Sequence, residues 1–204
     1  YFFDGSNSYI STDVDIQPST LPSVSIAFWA KPMSIFRFRH QVISSDDTGA
    51  PGYDRSILIG ADSWEMFLYP GVWTSPWAAE DGQWQHIVAI YEGSNVHMYV
   101  NGEYAAGDEF TGAGGDTVSG MHIGTNPVLA WEEYFRGVLD EVRVYNRVLS
   151  AAEVRELYAE GTEHWTRIWG SDRVDYGLRT DADAQGNIYV AGMCGGSIDG
   201  QPYR

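Results

Sequence analysis

Cysteine and lysine are almost missing from this sequence of 204 residues, which holds one of each, Cys194 and Lys31. A single thiol excludes an internal disulfide framework, and no Cys/His cluster has the spacing of a zinc site. Basic charge is scarce too. The 12 Lys+Arg stand against 28 Asp+Glu for a formal net charge of −16, which argues against nucleic acid or an anionic membrane surface as partner. No run of 18 uncharged apolar residues occurs, so no membrane insertion is expected. With 44% hydrophobic and 14% aromatic residues the chain is too apolar for disorder. At this length about 70% of the unfolded surface can be buried, enough for one sizeable core.

The pattern that is present is β. Short runs of β-branched and aromatic residues alternate with Gly, Asp, Asn, Ser and Pro, which predicts antiparallel strands near 1–4, 9–12, 24–31, 37–43, 56–59, 64–69, 84–91, 96–100, 103–105, 121–124 and 136–145. The sharpest local signal is Val96-His97-Met98-Tyr99-Val100 followed by Asn101-Gly102, an alternating strand running into the two positive-φ positions of a tight hairpin. One segment departs from the pattern. Ser150 with Glu153 forms a capping box, Leu149 and Val154 are placed as its hydrophobic staple, and a helix is predicted over 150–159 with Gly161 as its stop. Val154, Leu157 and Tyr158 share one face of it.

Beyond Gly161 apolar side chains become sparse, and about 40 such residues cannot close a core of their own. Two regions are therefore expected, 1–160 and 161–204, with the Gln185-Gly186-Asn187 turn making a β-hairpin in the second. The sequence opens straight into a strand and closes without a stop signal, so both ends read as cut from something longer.

Three stretches together resemble the laminin-G-like branch of the concanavalin A-like jelly rolls. They are Phe3-Asp4-Gly5-Ser6-Asn7-Ser8-Tyr9-Ile10, then Trp84 to Tyr91 leading into Met98-Tyr99-Val100-Asn101-Gly102, and Phe135 to Ser150 with its Leu139-Asp140-Glu141-Val142-Arg143-Val144-Tyr145 centre. The likeness covers about residues 1–160 and implies an all-β antiparallel sandwich with Trp29 and Trp84 in its core strands. Residues 165–201 resemble one bacterial β-propeller repeat through Asp183-Ala184-Gln185-Gly186-Asn187-Ile188-Tyr189-Val190-Ala191-Gly192. One copy implies a larger secreted or cell-surface protein, since a propeller needs several blades.

Catalytic signals are weak. The enzymatic jelly rolls carry carboxylates at alternate positions of one cleft strand, whereas the acid pairs Asp13/Asp15 and Asp181/Asp183 lack flanking hydrophobic alternation. No nucleophile elbow, metalloprotease helix, phosphate loop or EF-hand loop is found. The resemblance implies a structural Ca²⁺ held by Asp4, Asn7 and Asp140; the alternative has Asp4 capping its own turn and Asp140 bonding backbone amides. Binding fits better, since sugars stack on flat aromatics while polar groups take their hydroxyls. Trp73, Trp77 and Trp131, with Tyr53, Asp54 and Arg55, lie in Gly-, Pro- and acid-rich segments and are the candidate glycan contacts, although loop tryptophans also serve to plug sandwich ends.

The expectation is a non-catalytic extracellular binding or adhesion module whose partner is a glycan or an extracellular protein. A filament or matrix subunit that self-associates by strand pairing through 161–204 is the alternative, and a glycoside hydrolase a weaker one. Residues 44–135 carry 14 acids against Arg55 alone, which favours neutral or basic ligands there.

Overall fold

The computed structural model describes residues 1–34, 39–45, 55–68, 71–109, 120–126, 133–163, 176–182 and 188–193; for 71–73, 163 and the last two stretches it describes the backbone alone. The chain divides into two compact units, Tyr1–Thr162 and Glu163–Arg204.

The first unit is a sandwich of two six-stranded antiparallel sheets. Sheet one runs in the order β1 (Phe2–Asp4), β12 (Arg136–Tyr145), β3 (Ser23–Pro32), β8 (Gln85–Glu92), β9 (Asn95–Val100), β10 (Glu103–Glu109). Sheet two runs β2 (Ile10–Ser11), β11 (His122–Ile123), β4 (His40–Ser44), β5 (Arg55–Gly60), β6 (Ser63–Leu68), β7 (Gly71–Ala78). The concanavalin A-like jelly-roll class expected from the sequence is the one observed.

Strand periodicity builds the core. In β6, Trp64, Met66 and Leu68 point inward while Ser63, Glu65 and Phe67 stay partly exposed, the period of two a one-sided strand requires. Ile57 and Ile59 of β5 face Phe28, Ile87, Ala89 and Tyr91 of the opposite sheet. Trp64 is fully buried, packs edge-on to Phe28 and donates its indole N–H to Gln85 Oε1 at 3.0 Å. The hairpin β9–β10 closes on Asn101 (φ 53°) and Gly102 (φ 79°), both left-handed as the Asn-Gly pair predicts.

The middles of β3 and β8 are apolar on both faces, because the outer face of sheet one is covered there too. Ala27, Val88 and Ile90 lie beneath Leu149 and Val154 at the start of α1 (Ala151–Glu163). The capping box is present in full: Ser150 N and Oγ donate to Glu153 Oε2 at 2.8 Å, and Glu153 N donates back to Ser150 Oγ. The Arg147 guanidinium, bonded to Glu153 Oε1 at 2.6 Å, and then those Ser150 bonds hold the Glu153 carboxyl well below its ordinary range, at about 2. Ser25 Oγ ties the approach, donating to Arg147 O and accepting from Leu149 N.

Four expectations need correction. Gly71–Ala78, read as loop because of its Gly and Pro, forms β7; as the outermost strand of its sheet it tolerates Pro76, which has no N–H to donate. Gly161 does not stop α1, which continues to Glu163. A Cβ at 161 would fall among the atoms of the Trp29 indole, so its glycine allows the helix to approach the sheet. Trp29 and Trp84 are half-buried rather than core, Trp29 stacking on Tyr158 of α1 outside the sandwich. β10 runs to Glu109, well past the short strand expected.

In the second unit, β13 (Tyr176–Ala182) and β14 (Ile188–Met193) pair antiparallel as a two-stranded sheet. Residues 183–187, which carry the turn of the propeller-like repeat, lie outside the described residues.

Candidate functional site

Alternation fixes what the outer face of sheet two displays. With Ile57, Ile59, Trp64 and Met66 committed to the core, Ser56, Leu58, Glu65 and Phe67 must face the other way. The register aligns them across strands in two rows: Gln41–Leu58–Glu65–Thr74 and Ser44–Ser56–Phe67–Val72. The rows are held by side chains, Ser44 Oγ and Ser56 Oγ sharing a bond at 2.8 Å and Thr74 Oγ1 donating to Glu65 Oε1 at 3.1 Å.

Over these rows lies a cleft of about 340 Å³ lined by Arg39, Gln41, Ser56, Leu58, Phe67, Asn126 and Glu133. Its wall is fixed by long-range pairing: Gln41 N donates to Glu133 O at 2.9 Å and His40 Nδ1 lies 3.0 Å from Tyr134 O. Gln41 Nε2 donates to Glu133 Oε2 at 3.1 Å, whereas Gln41 Oε1 is buried without a partner. A guanidinium, two amides, a hydroxyl and a carboxylate thus surround a Leu and a Phe. This is the make-up of a site for a polyhydroxylated ligand, whose ring stacks on the aromatic while its hydroxyls meet the polar rim. Glu65 stands in the row beside it, its Oε2 also buried and unpartnered.

Of the sequence-predicted glycan contacts, Arg55 and Trp77 are not among the described residues that line this cleft. Arg55 is 1% exposed, and its guanidinium donates to the carbonyls of Ile16 (2.9 Å), Leu21 (2.6 Å) and Pro22 (3.3 Å) above the Tyr91 ring. It clips the 16–22 segment to the sandwich with its side chain buried, which corrects its expected role as a ligand contact. Burial lowers the Arg55 pKa and raises that of Tyr91. Trp77 is 37% exposed on β7. Trp73, also on β7, pairs through its backbone with Met66 of β6. Tyr53, Asp54 and Trp131 lie outside the described residues.

The calcium set does not fit one ion. Asp4 Oδ1 accepts from the amides of Ser6, Asn7 and Ser8 at 2.9 to 3.1 Å, bonds that hold its carboxyl far below the ordinary range, and Asp140 Oδ1 accepts from Glu141 N. Asp4 pairs with Arg136, four residues along β12 from Asp140, a separation of roughly 13 Å. Two carboxylates on one Ca²⁺ stand within about 5 Å of each other. Asp4 caps its own turn instead. Among the described residues no group of three His, Cys, Asp or Glu side chains could hold a metal ion.

Sequence reasoning missed Gln41, Phe67 and Glu133. The alternation in β5 and β6 was legible, and it separates Ser56 and Phe67 from the core. Nothing local says that 133 lies against 41.

A family model described as the concanavalin A-like lectin/glucanases superfamily matches residues 4–155. Among solved structures the chain is similar to a candidate carbohydrate-binding protein from Bacteroides ovatus, with 22% identity and a TM-score of 0.60 over 76% of this chain and 45% of that one. Domain 4 of an extracellular arabinanase from Geobacillus stearothermophilus, solved with arabinotriose, is 20% identical with a TM-score of 0.58, covering 77% of this chain and 75% of that one. Trypanosoma rangeli sialidase in complex with 2,3-difluorosialic acid is 18% identical with a TM-score of 0.55, over 67% of this chain and 22% of that one. The chain therefore spans less than half of the Bacteroides and Trypanosoma chains, and at these identities the likeness shows the fold alone. No curated protein sequence matches it.

Proposed function

The chain belongs to the concanavalin A-like lectin/glucanases superfamily, and from that premise we propose that it is a non-catalytic carbohydrate-binding module whose ligand lies in the cleft over β4, β5 and β6. The observation that carries the reading is the cleft itself, with Phe67 and Leu58 as its apolar floor and Arg39, Gln41, Asn126 and Glu133 as its polar rim. The solved neighbours support it, one being described as carbohydrate-binding and another holding arabinotriose. The net charge of −16 disfavours an acidic ligand, and the module is read as working within a secreted or surface protein.

Calorimetric titration with neutral trisaccharides (arabinotriose, xylotriose, cellotriose and galactotriose) tests the reading. At least one binds, and Phe67→Ala weakens it at least tenfold while the fold is kept, because the stacking surface is lost. Shortened products after prolonged incubation with the purified protein would overturn the non-catalytic part.

Assembly by strand pairing has one observation in its favour: among the described residues β13 and β14 form a two-stranded sheet, which is marginal alone. Sedimentation of the full chain tests it, a concentration-dependent rise in mass supporting assembly.

A further inference from the structure

The bonding of Gln41 carries the reading of the cleft one step further, to the kind of sugar it accepts. An amide side chain presents either its oxygen or its NH₂ group to a ligand, and which one depends on the partner of the other. Here the partner is a carboxylate. Gln41 Nε2 donates to Glu133 Oε2 at 3.1 Å, and a carboxylate only accepts, so a flipped amide would set two acceptors against each other. The segment bearing Glu133 is itself locked to β4 by Gln41 N to Glu133 O and by the bridge between Gln41 and Tyr134. Gln41 is 7% exposed, lines the cleft, and leaves Oε1 without a partner. A buried acceptor left unpaired is costly, and a donor that reaches it recovers that cost.

One strand further, past Leu58, the same row repeats the arrangement. Glu65 Oε1 is taken by Thr74 Oγ1 and its Oε2 is buried and unpaired. Leu58 thus has an unpartnered acceptor on the strand to either side of it. Resting on the proposed carbohydrate-binding reading, we infer that the site selects neutral sugars by demanding hydroxyl donors, with Gln41 as the specificity-determining residue and Glu133 as the positioning residue that fixes its polarity. A uronic acid carboxylate brings only acceptors to these atoms; Glu133 in the lining and Glu65 in the neighbouring row repel it against Arg39, the single cation among the described lining residues, so acidic glycans bind more weakly than neutral ones.

The test compares the neutral trisaccharides with trigalacturonate by calorimetry. The wild type binds a neutral trisaccharide at least tenfold tighter than trigalacturonate. Gln41→Leu removes the acceptor and weakens the neutral ligand at least tenfold. Glu133→Gln keeps the shape but lets both amides turn over, so it narrows the gap between neutral and acidic ligands, which a merely structural role would not do. Glu65→Leu has a smaller effect, about threefold.

If nothing in the panel binds, the carbohydrate reading itself falls. If neutral ligands bind and Phe67→Ala abolishes them, yet Gln41→Leu stays within twofold of wild type, that reading stands and this inference is overturned. Trigalacturonate binding as tightly as the neutral ligands overturns it without any variant, so a misfolded mutant cannot rescue it.

Discussion

On the outer face of sheet one, Ala27, Val88 and Ile90 lie under α1, and Trp29 stacks on Tyr158 and lies tilted against His86. On the outer face of sheet two the corresponding positions are Gln41, Ser44, Ser56, Glu65 and Phe67, and no helix covers them among the described residues. Both sheets give their inner faces to one shared core. The difference lies in the composition of the outward positions, and it separates two tasks. A sheet face that is apolar must be covered, and covering it contributes stability; the face that mixes polar groups with Leu58 and Phe67 keeps a cleft over strands whose Gln41, Ser44 and Ser56 are themselves buried.

The largest effect expected comes from Arg55, which the sequence offers as a glycan contact and the structure buries. Arg55→Met leaves the carbonyls of Ile16, Leu21 and Pro22 without their donor, and urea unfolding should show a loss of about 4 kcal/mol. If Arg55 instead contacts ligand, affinity falls and stability does not.

On the closed face, Leu149→Ala empties the contact between α1 and β8 and should cost about 3 kcal/mol in urea unfolding, with glycan affinity unchanged. A loss of affinity would show that the two faces are coupled, and the comparison would fail.

The pH dependence sharpens the same face. His86 is 3% exposed, and burial, with the Arg143 charge adding to it, pushes its imidazole down to about 4. Unfolded, it titrates near 6.5. Between these values the unfolded chain binds the extra proton, so stability is full above pH 6.5, falls as pH drops toward 4 and loses nothing further from this group below that. The loss is at most about 3 kcal/mol. Asp4 and Glu153, with lowered folded values, withdraw their contributions only below about pH 4.5. Unfolding midpoints of wild type and His86→Gln, followed from pH 7 to 4.5, should converge as the pH falls; parallel curves would sink the assignment.

The smallest effect is expected from a chelator. Because Asp4 bonds its own turn and stands four residues along the ladder from Asp140, EDTA should move the melting temperature by less than about 1 °C. A drop of several degrees would place a structural cation elsewhere in the chain.

Much of the scaffold was legible beforehand. The strand pattern, the left-handed Asn101-Gly102 turn and the Ser150–Glu153 capping box are each specified within a few residues, because period-two burial and end-capping are local. The edge strand β7 was not, since Pro and Gly weigh against a strand until its place at the edge is known. The site was barely legible. Aromatic residues in Gly- and Pro-rich segments drew attention to Trp73 and Trp77, while Phe67 looked like one more member of an ordinary strand.

By itself, then, the sequence determined the class of fold, the two-faced strands and the acidity of residues 44–135, where Arg55 is the one base. Only the tertiary structure decided that this base points inward, that Asp4 and Asp140 are separate, and that Gln41 meets Glu133 across 92 residues of chain. The reason is physical. Alternation tells which side chains share a face of one strand, but which strands become neighbours depends on closing long loops around a common core, and no short stretch encodes that.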